Sequence, residues 1–402
     1  MTGIMNTNER EMACKHFLAG IKGIGRVTAR KLLDFYDAGS RIWELTDGEI
    51  MKDRIMTLKQ KNALLGTRQK WDLEKEWERL KEKRISMVAY CDEEYPTRLR
   101  NMDDKPFVMY YKGMLPKNNV PSVAIIGARM CTEYGRYMAG YFGAELAKRG
   151  IQIISGMASG IDGIAQKSAL EHGGSSYGVL GCGVDICYPV SNRPLYEMLL
   201  MQGGILSEFL PGEAPEAGHF PMRNRLISGL ADLVLVVEAK EKSGTRITVE
   251  LALEQGKEVY AVPGRVKDEL STGCNLLIRE GAGIALDAEE IASVAVEACR
   301  KHYNVPTDES GISEMFKVPK IFQTRKLPEA GYTEKKTKNE SVIFNLLREK
   351  AMSMDEIYNR LKIREDLSDE ISFRTVQETM TDLMLQGKVA CQMGLYEAIY
   401  HN

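Results

Sequence analysis

Between residues 120 and 287 short apolar runs alternate with helical stretches. The order is SVAIIG, GRYMAGYFGAELAKRG, IQIIS, the segment around Ile164–Glu171 and YGVLG, then LVLVVEA, RITVELALEQG, EVYAVPG and GIALD. Apolar strands that alternate with amphipathic helices bury both partners in one way: a mostly parallel sheet with helices on both faces. The expected class is therefore α/β. In such sheets ligands sit at the carboxyl ends of the strands, so the residues after each strand carry the information.

Four of those loops are rich in Gly, Ser or Arg. SVAII leads into Gly127-Ala128-Arg129, with Thr132 and Gly135 beyond; IQII leads into Ser155-Gly156-Met157-Ala158-Ser159-Gly160-Ile161-Asp162-Gly163. YGVL leads into Gly181-Cys182-Gly183-Val184-Asp185, and LVLVVEA into Lys240-Glu241-Lys242-Ser243-Gly244-Thr245. Glycines let backbone N–H groups converge on an anion, and a helix N-terminus adds partial positive charge. The hydroxyls of Ser155, Ser159 and Ser243 add donors, and Arg129 offers a planar fork to phosphate oxygens. One such loop is an ordinary turn; four in one sheet point to phosphate binding.

A fifth segment, Gly218-His219-Phe220-Pro221-Met222-Arg223-Asn224-Arg225, places an aromatic ring just ahead of two arginines and an Asn. A ring that stacks on a base beside a guanidinium that meets phosphate suits single-stranded nucleic acid. Two other roles stay open: Phe220 as core, and Arg225 as the ion-pair partner of a carboxylate such as Glu238. Asp162 is either a general base or, by position, the cap of its own helix. His172, at a helix end, is accounted for by the helix dipole.

Other chemistry is excluded by motif. The chain has no Gly-x-x-x-x-Gly-Lys-Ser/Thr loop, no full Gly-x-Gly-x-x-Gly after its first strand, no Gly-x-Ser-x-Gly and no His-Glu-x-x-His. Its 8 cysteines include no Cys-x-x-Cys pair, so reduced thiols of a cytosolic protein are expected, with no metal site. The net charge of −2 does not by itself advertise nucleic acid, so specific basic residues must. No run reaches a membrane span, and the N-terminus lacks a secretory pattern.

The flanks differ from the middle. Residues 1–90 read as helical, and Ile21-Lys22-Gly23-Ile24-Gly25 separates two helical segments. That element resembles a helix-hairpin-helix, in which Gly23 and Gly25 approach a DNA phosphate non-specifically; a tight turn between packed helices is the other reading. Residues 91–300 hold the α/β domain. Residues 301–339, punctuated by Pro306, Pro319 and Pro328, read as a linker. Residues 340–402 suggest three short helices and a β-pair, like a winged helix. Its third helix carries Glu378 and Asp382 with only Arg374 near its start, thin charge for reading DNA.

The run VAIIGAR…YG, SGMASGIDGIAQKSAL, GVLGCGVDICYPVSN, GGILSEF, FPMRNRLISGLAD, VVEAKEKSGTRITVELALEQGKEVYAVPG and GCNLLIREGA resembles the DprA/Smf family of DNA-processing proteins, over about Tyr95 to Asp287. The resemblance implies a Rossmann-like domain flanked by an N-terminal SAM-like and a C-terminal winged-helix domain. It implies a cytoplasmic homodimer that binds and protects single-stranded DNA in natural transformation and loads the RecA recombinase, with no catalytic residue and no cofactor. By position the family's binding residues fall on Arg129, Ser155, Gly156, Phe220, Arg223, Asn224 and Arg225; the loop reading adds Gly127, Ser159, Ser243 and Gly244 as phosphate-binding candidates. Ser159, Gln166 and Val190 stand where the family often has a basic residue, a His and a Lys. Two alternatives remain. One is a phosphoribohydrolase-like enzyme, whose catalytic Glu position here holds Thr248, with Glu250 on another helix face. The other is a protein-interaction adaptor working through residues 340–402.

Overall fold

The computed structural model describes residues 5–303 without interruption and parts of 342–398. Six helices come first: α1 (Thr7–Ala19), α2 (Arg26–Tyr36), α3 (Gly39–Glu44), α4 (Asp47–Lys52), α5 (Leu58–Arg68) and α6 (Leu73–Glu82). Asn6, Thr46 and Thr57 exchange hydrogen bonds with Glu9, Glu49 and Gln60, so α1, α4 and α5 start on capping boxes. The second helix starts on Gly25 with no side-chain cap.

The chain then builds a sheet from β1 (Ser86–Ala89), β2 (Val108–Gly113), β3 (Ser122–Ile126), β4 (Gln152–Ser155), β5 (Ser176–Val179), β6 (Gly203–Ser207), β7 (Leu233–Val236), β8 (Glu258–Ala261) and β9 (Gly283–Ile284). Interleaved are α7 (Thr97–Arg100), α8 (Glu133–Lys148), α9 (Ile161–Glu171), α10 (Arg193–Gln202), α11 (His219–Leu230), α12 (Gly244–Glu254), α13 (Glu269–Arg279) and α14 (Ala288–Tyr303). The spatial order is β1-β2-β6-β5-β4-β3-β7-β8-β9. From β6 to β9 every pairing is parallel; β1 and β2 add an antiparallel edge. The chain moves outward from β3 through β4, β5 and β6, then returns to the other side of β3 as β7. The switch point thus lies between β3 and β7, where a crevice opens at the carboxyl ends.

The α/β expectation holds. Strand periodicity explains it: Ala124 and Ile126 pack on one face with Leu226, Leu230 and Val249, while Val123 and Ile125 pack on the other with Phe142, Leu146 and Ile291. Close approach of α8 to α9 requires Gly143, where an added Cβ would lie 2.4 Å from the Ala165 carbonyl oxygen. At the amino ends of β3 and β7, the buried Arg98 of α7 donates to both carboxylate oxygens of Asp232 at 2.9 and 2.7 Å. Asp232 also accepts from the Ser122 backbone N–H at 2.8 Å and hydroxyl at 3.1 Å.

The division at residue 90 needs correction. The sheet begins at Ser86, inside the stretch expected to be helical, because Ser86–Ala89 pairs with Val108–Tyr111. The helices are not insulated from that edge: Phe17, Leu18 and Leu64 share one apolar cluster with Met87, Tyr110 and Leu199. There the His16 Nδ1 lies 2.8 Å from the Tyr110 hydroxyl, and burial pulls the imidazole down to about 4.

Of the expected linker, 301–303 continue α14, and the rest lies outside the described residues. Further on, α15 (Met354–Lys362) and a hairpin of β10 (Val389–Gln392) with β11 (Leu395–Ala398) surround a cluster that includes Ile343, Ile357, Leu361 and Val389. Arg374, Glu378 and Asp382 of the expected third helix lie outside the described residues.

Asp232→Ala removes the carboxylate that balances the charge of the buried Arg98 guanidinium, which costs about 3–5 kcal/mol. Urea unfolding should show that loss; an unchanged midpoint would refute the anchoring role of the pair.

Candidate nucleic-acid interface

The loop after β3 is held by one carboxylate. Glu238, buried at the end of β7, accepts from the Thr132 N–H at 2.9 Å and from its hydroxyl, and its carbonyl accepts the Ala128 N–H at 2.8 Å. Gly127 and Gly135 are glycines for this reason: an added Cβ would lie 2.8 Å from the Glu238 carbonyl oxygen in one case and 2.2 Å from its carboxylate in the other. Thr132 then caps α8 through the Gly135 N–H. With both ends of the loop fixed, Arg129 is left exposed, and among the described residues its guanidinium makes no ion pair. It lies over the Phe220 ring, 5.7 Å from the centroid.

The loop after β4 runs directly beneath. Gly160, with φ of 78°, passes so close that a Cβ would lie 2.3 Å from the Ala128 carbonyl oxygen and 2.4 Å from that of Arg129. The Ile161 N–H donates to Ala128 at 3.2 Å. Ser159 is exposed on this loop, but Ser155 and Gly156 are turned inward, against expectation. The Ser155 hydroxyl is fully buried and donates to the Ile125 carbonyl at 2.6 Å, and the Gly156 N–H donates to Asp162 at 3.0 Å. Asp162 therefore braces the preceding loop rather than capping its own helix. Burial pushes its carboxyl up, and the Arg223 guanidinium opposes that shift. Gln166 is equally internal, accepting from Met157 N–H and donating to Ser176.

The two arginines of α11 also depart from expectation. Arg223 is buried and donates to the carbonyls of Gly156 and Val179, and burial pulls it down to about 10. It ties β4 to β5 beneath the surface. Arg225 does not pair with Glu238. Its guanidinium grips Glu208 through two 2.7 Å bonds and donates to Asp104 at 2.6 Å, and these carboxylates raise its pKa against desolvation. Asn224 is half-buried and accepts from Arg223 at 3.3 Å.

Phe220 reaches the surface. Its ring sits against Gly181, where a Cβ would lie 3.0 Å from Cδ1, and 5.5 Å from the exposed ring of Tyr188. Tyr188 was not among the expected residues, although it stands in the quoted GVLGCGVDICYP run. Only the packing of α11 over β5 brings it to Phe220. The loop that carries it is braced by Asn192, which donates to the Met157 and Ala158 carbonyls at 2.9 and 3.1 Å, and by Asp185, which pairs with Lys83 at 2.7 Å. On the far side of the crevice Ser243 caps α12 by position only, with no side-chain bond, and Gly244 is open, with nothing within 4 Å of an added Cβ. Thr248, in the position of a phosphoribohydrolase Glu, is buried, and Glu250 pairs with Arg246 at 3.4 Å.

The structure thus brings the exposed Arg129, Ser159 and Tyr188 and the half-buried Phe220 to one edge, with the half-buried Gly127 at the base of its loop. It assigns Ser155, Gly156, Arg223 and Arg225 to the scaffold. Gly23 and Gly25 lie apart, in the exposed turn before α2, where Gly23 has φ of 100° and accepts from Gln60 at 3.3 Å.

The family model described as DNA recombination-mediator protein A matches residues 86–295, from the first residue of β1 into α14. The chain belongs to the DNA recombination-mediator protein A (DprA/Smf) family. It is 40% identical over 207 residues to DNA processing protein DprA of Streptococcus pneumoniae, covering 50% of this chain and 72% of that protein. It is 33% identical over 275 residues to protein Smf of Synechocystis, covering 67% of this chain and 69% of that one. An X-ray structure of DprA from Streptococcus pneumoniae superposes with a TM-score of 0.62 at 32% identity, over 72% of this chain and 98% of that one.

The division between scaffold and surface is measurable as stability. Arg225→Ala strands Glu208 in a part-buried site and should cost about 3–5 kcal/mol in urea unfolding. Arg129→Ala should stay within about 0.5 kcal/mol of the parent. Equal effects would contradict the assignment.

Proposed function

We propose that the protein binds single-stranded DNA across the carboxyl edge of its sheet and acts as a recombination mediator in natural transformation. In this reading it shields the incoming strand, works as a cytoplasmic homodimer and loads the RecA recombinase, without catalysis of its own. One observation carries the reading: at the carboxyl edge of the sheet, the half-buried Phe220 ring lies between the exposed Tyr188 ring and the exposed Arg129 guanidinium, which makes no ion pair among the described residues. Rings accept bases of any sequence, and a free guanidinium beside them takes the phosphate. The buried Thr248 supports binding over hydrolysis, since that position offers no carboxylate for general acid–base work. Among the described residues no helix is long and apolar enough to cross a membrane.

Phe220→Ala should weaken single-stranded DNA binding by about 1–3 kcal/mol in a gel-shift titration. Arg129→Ala should weaken it and flatten its salt dependence by roughly one released counterion. Neither should accelerate RecA assembly on the strand as the parent does. Unchanged affinity in both variants would sink the site.

The homodimer is proposed at the open β9 edge of the sheet. Among the described residues that strand pairs only on its β8 side, and Ile284 and the neighbouring Leu286 expose apolar side chains beside it. Leu286→Asp should reduce the light-scattering mass of the full chain to that of a monomer; an unchanged mass moves the interface elsewhere.

A further inference from the structure

The β3–α8 loop does not end its exposed surface at Arg129. Met130, the next residue, is 84% exposed. One helical turn into α8, about 6 Å along its axis from Glu133, Tyr137 is 69% exposed. Its ring lies nearly parallel to that of Tyr141, at 12° with centroids 6.5 Å apart. Tyr141 is itself held, its hydroxyl accepting from the Ala288 N–H at 3.5 Å. Between Met130 and Tyr137, the Tyr134 hydroxyl donates to the Pro263 carbonyl at 2.9 Å. That bond brings the β8–α13 loop against the first turn of α8, and with it the 87% exposed Val266, flanked by Arg265 and Lys267.

Met130, Tyr137 and Val266 lie outside the apolar core, against which Tyr141 packs, so the Tyr137 ring is held on a fixed backing with its outer face open to a ligand. The charges around it favour an anion by a small margin. Lys242, Arg265 and Lys267 are exposed there with Glu241 and Asp268, while Arg136 is paired with Glu133 at 3.4 Å and Lys240 with Glu269 at 2.7 Å. We infer that the DNA strand continues from the Arg129–Phe220 site over the first turns of α8, where Tyr137 stacks a further base and the β8–α13 loop forms the opposite wall. The occupant follows from continuity: Met130 and Tyr137 belong to the same loop and helix as Arg129, so a strand held by that guanidinium meets them next. Aromatics interleaved with cations are what a sequence-tolerant single strand requires. The inference rests on the DNA-binding reading above and adds a second stacking point to it.

Fluorescence anisotropy of the full chain with labelled dT oligomers of about 5 and about 15 nucleotides separates the two claims. Tyr137→Ser should lose about tenfold in affinity for the longer oligomer and nothing for the shorter, while Tyr137→Phe should keep both. Phe220→Ala should weaken both lengths. If Tyr137→Ser leaves both lengths unchanged while Phe220→Ala weakens them, the extension is wrong and the primary site stands. If neither variant has an effect, both readings fall. If Tyr137→Ser changes only the light-scattering mass of the chain, the face belongs to a protein contact and the extension is overturned. A dT oligomer carrying one terminal 5-iodouracil gives a direct readout, since crosslinking should label the peptide that contains Tyr137.

Discussion

The Glu238 carboxylate at the end of β7 determines what the crevice can be. It sits at the switch point, where β3 and β7 pair side by side but the connections that follow them lead to opposite sides of the sheet. By taking both Thr132 donors while its carbonyl takes Ala128, it pins the β3–α8 loop at both ends. Two glycines follow from it, the cap of α8 depends on it, and the β4–α9 loop can pass beneath only because the upper loop is held. Among the described residues Arg129 makes no ion pair, because the loop's polar needs are met elsewhere, and its guanidinium rests over the Phe220 ring.

On the proposed reading the interface leans on rings more than on charge. Ser159 and Val190 at the edge are uncharged, and Arg223 and Arg225 are consumed inside the fold. What remains at the edge is Arg129 with Phe220 and Tyr188. A surface of this kind releases few counterions, so its grip persists at salt concentrations that would strip a basic groove.

The parallel sheet was legible because its strands are buried on both faces and therefore read as unbroken apolar runs. The loops after them were legible as glycine-rich stretches. The antiparallel edge was not: Ser86–Ala89 is too short to show alternation, and its pairing with β2 is set by residues some twenty positions on. The direction of individual polar side chains was also hidden. Phe220-x-x-Arg223-x-Arg225 has the composition of a binding stripe, yet only Phe220 faces out. On a helix, residues two apart point to different faces, and here each arginine finds buried carbonyls or carboxylates supplied by distant segments. Tyr188 was missed for the converse reason. Its ring matters only because α11 lies over β5, a fact of packing that no local pattern announces.

Asp104 accepts from Arg225 of α11 and also pairs, at 3.4 Å, with Arg26 in the first turn of α2. The turn of Gly23 and Gly25 and the helix that bears Phe220 therefore share a single acceptor. The helical domain is in this sense not a detachable accessory: a charge on α2 and the charge that anchors α11 meet on one carboxylate, beside a core that Phe17 and Leu64 share with Tyr110.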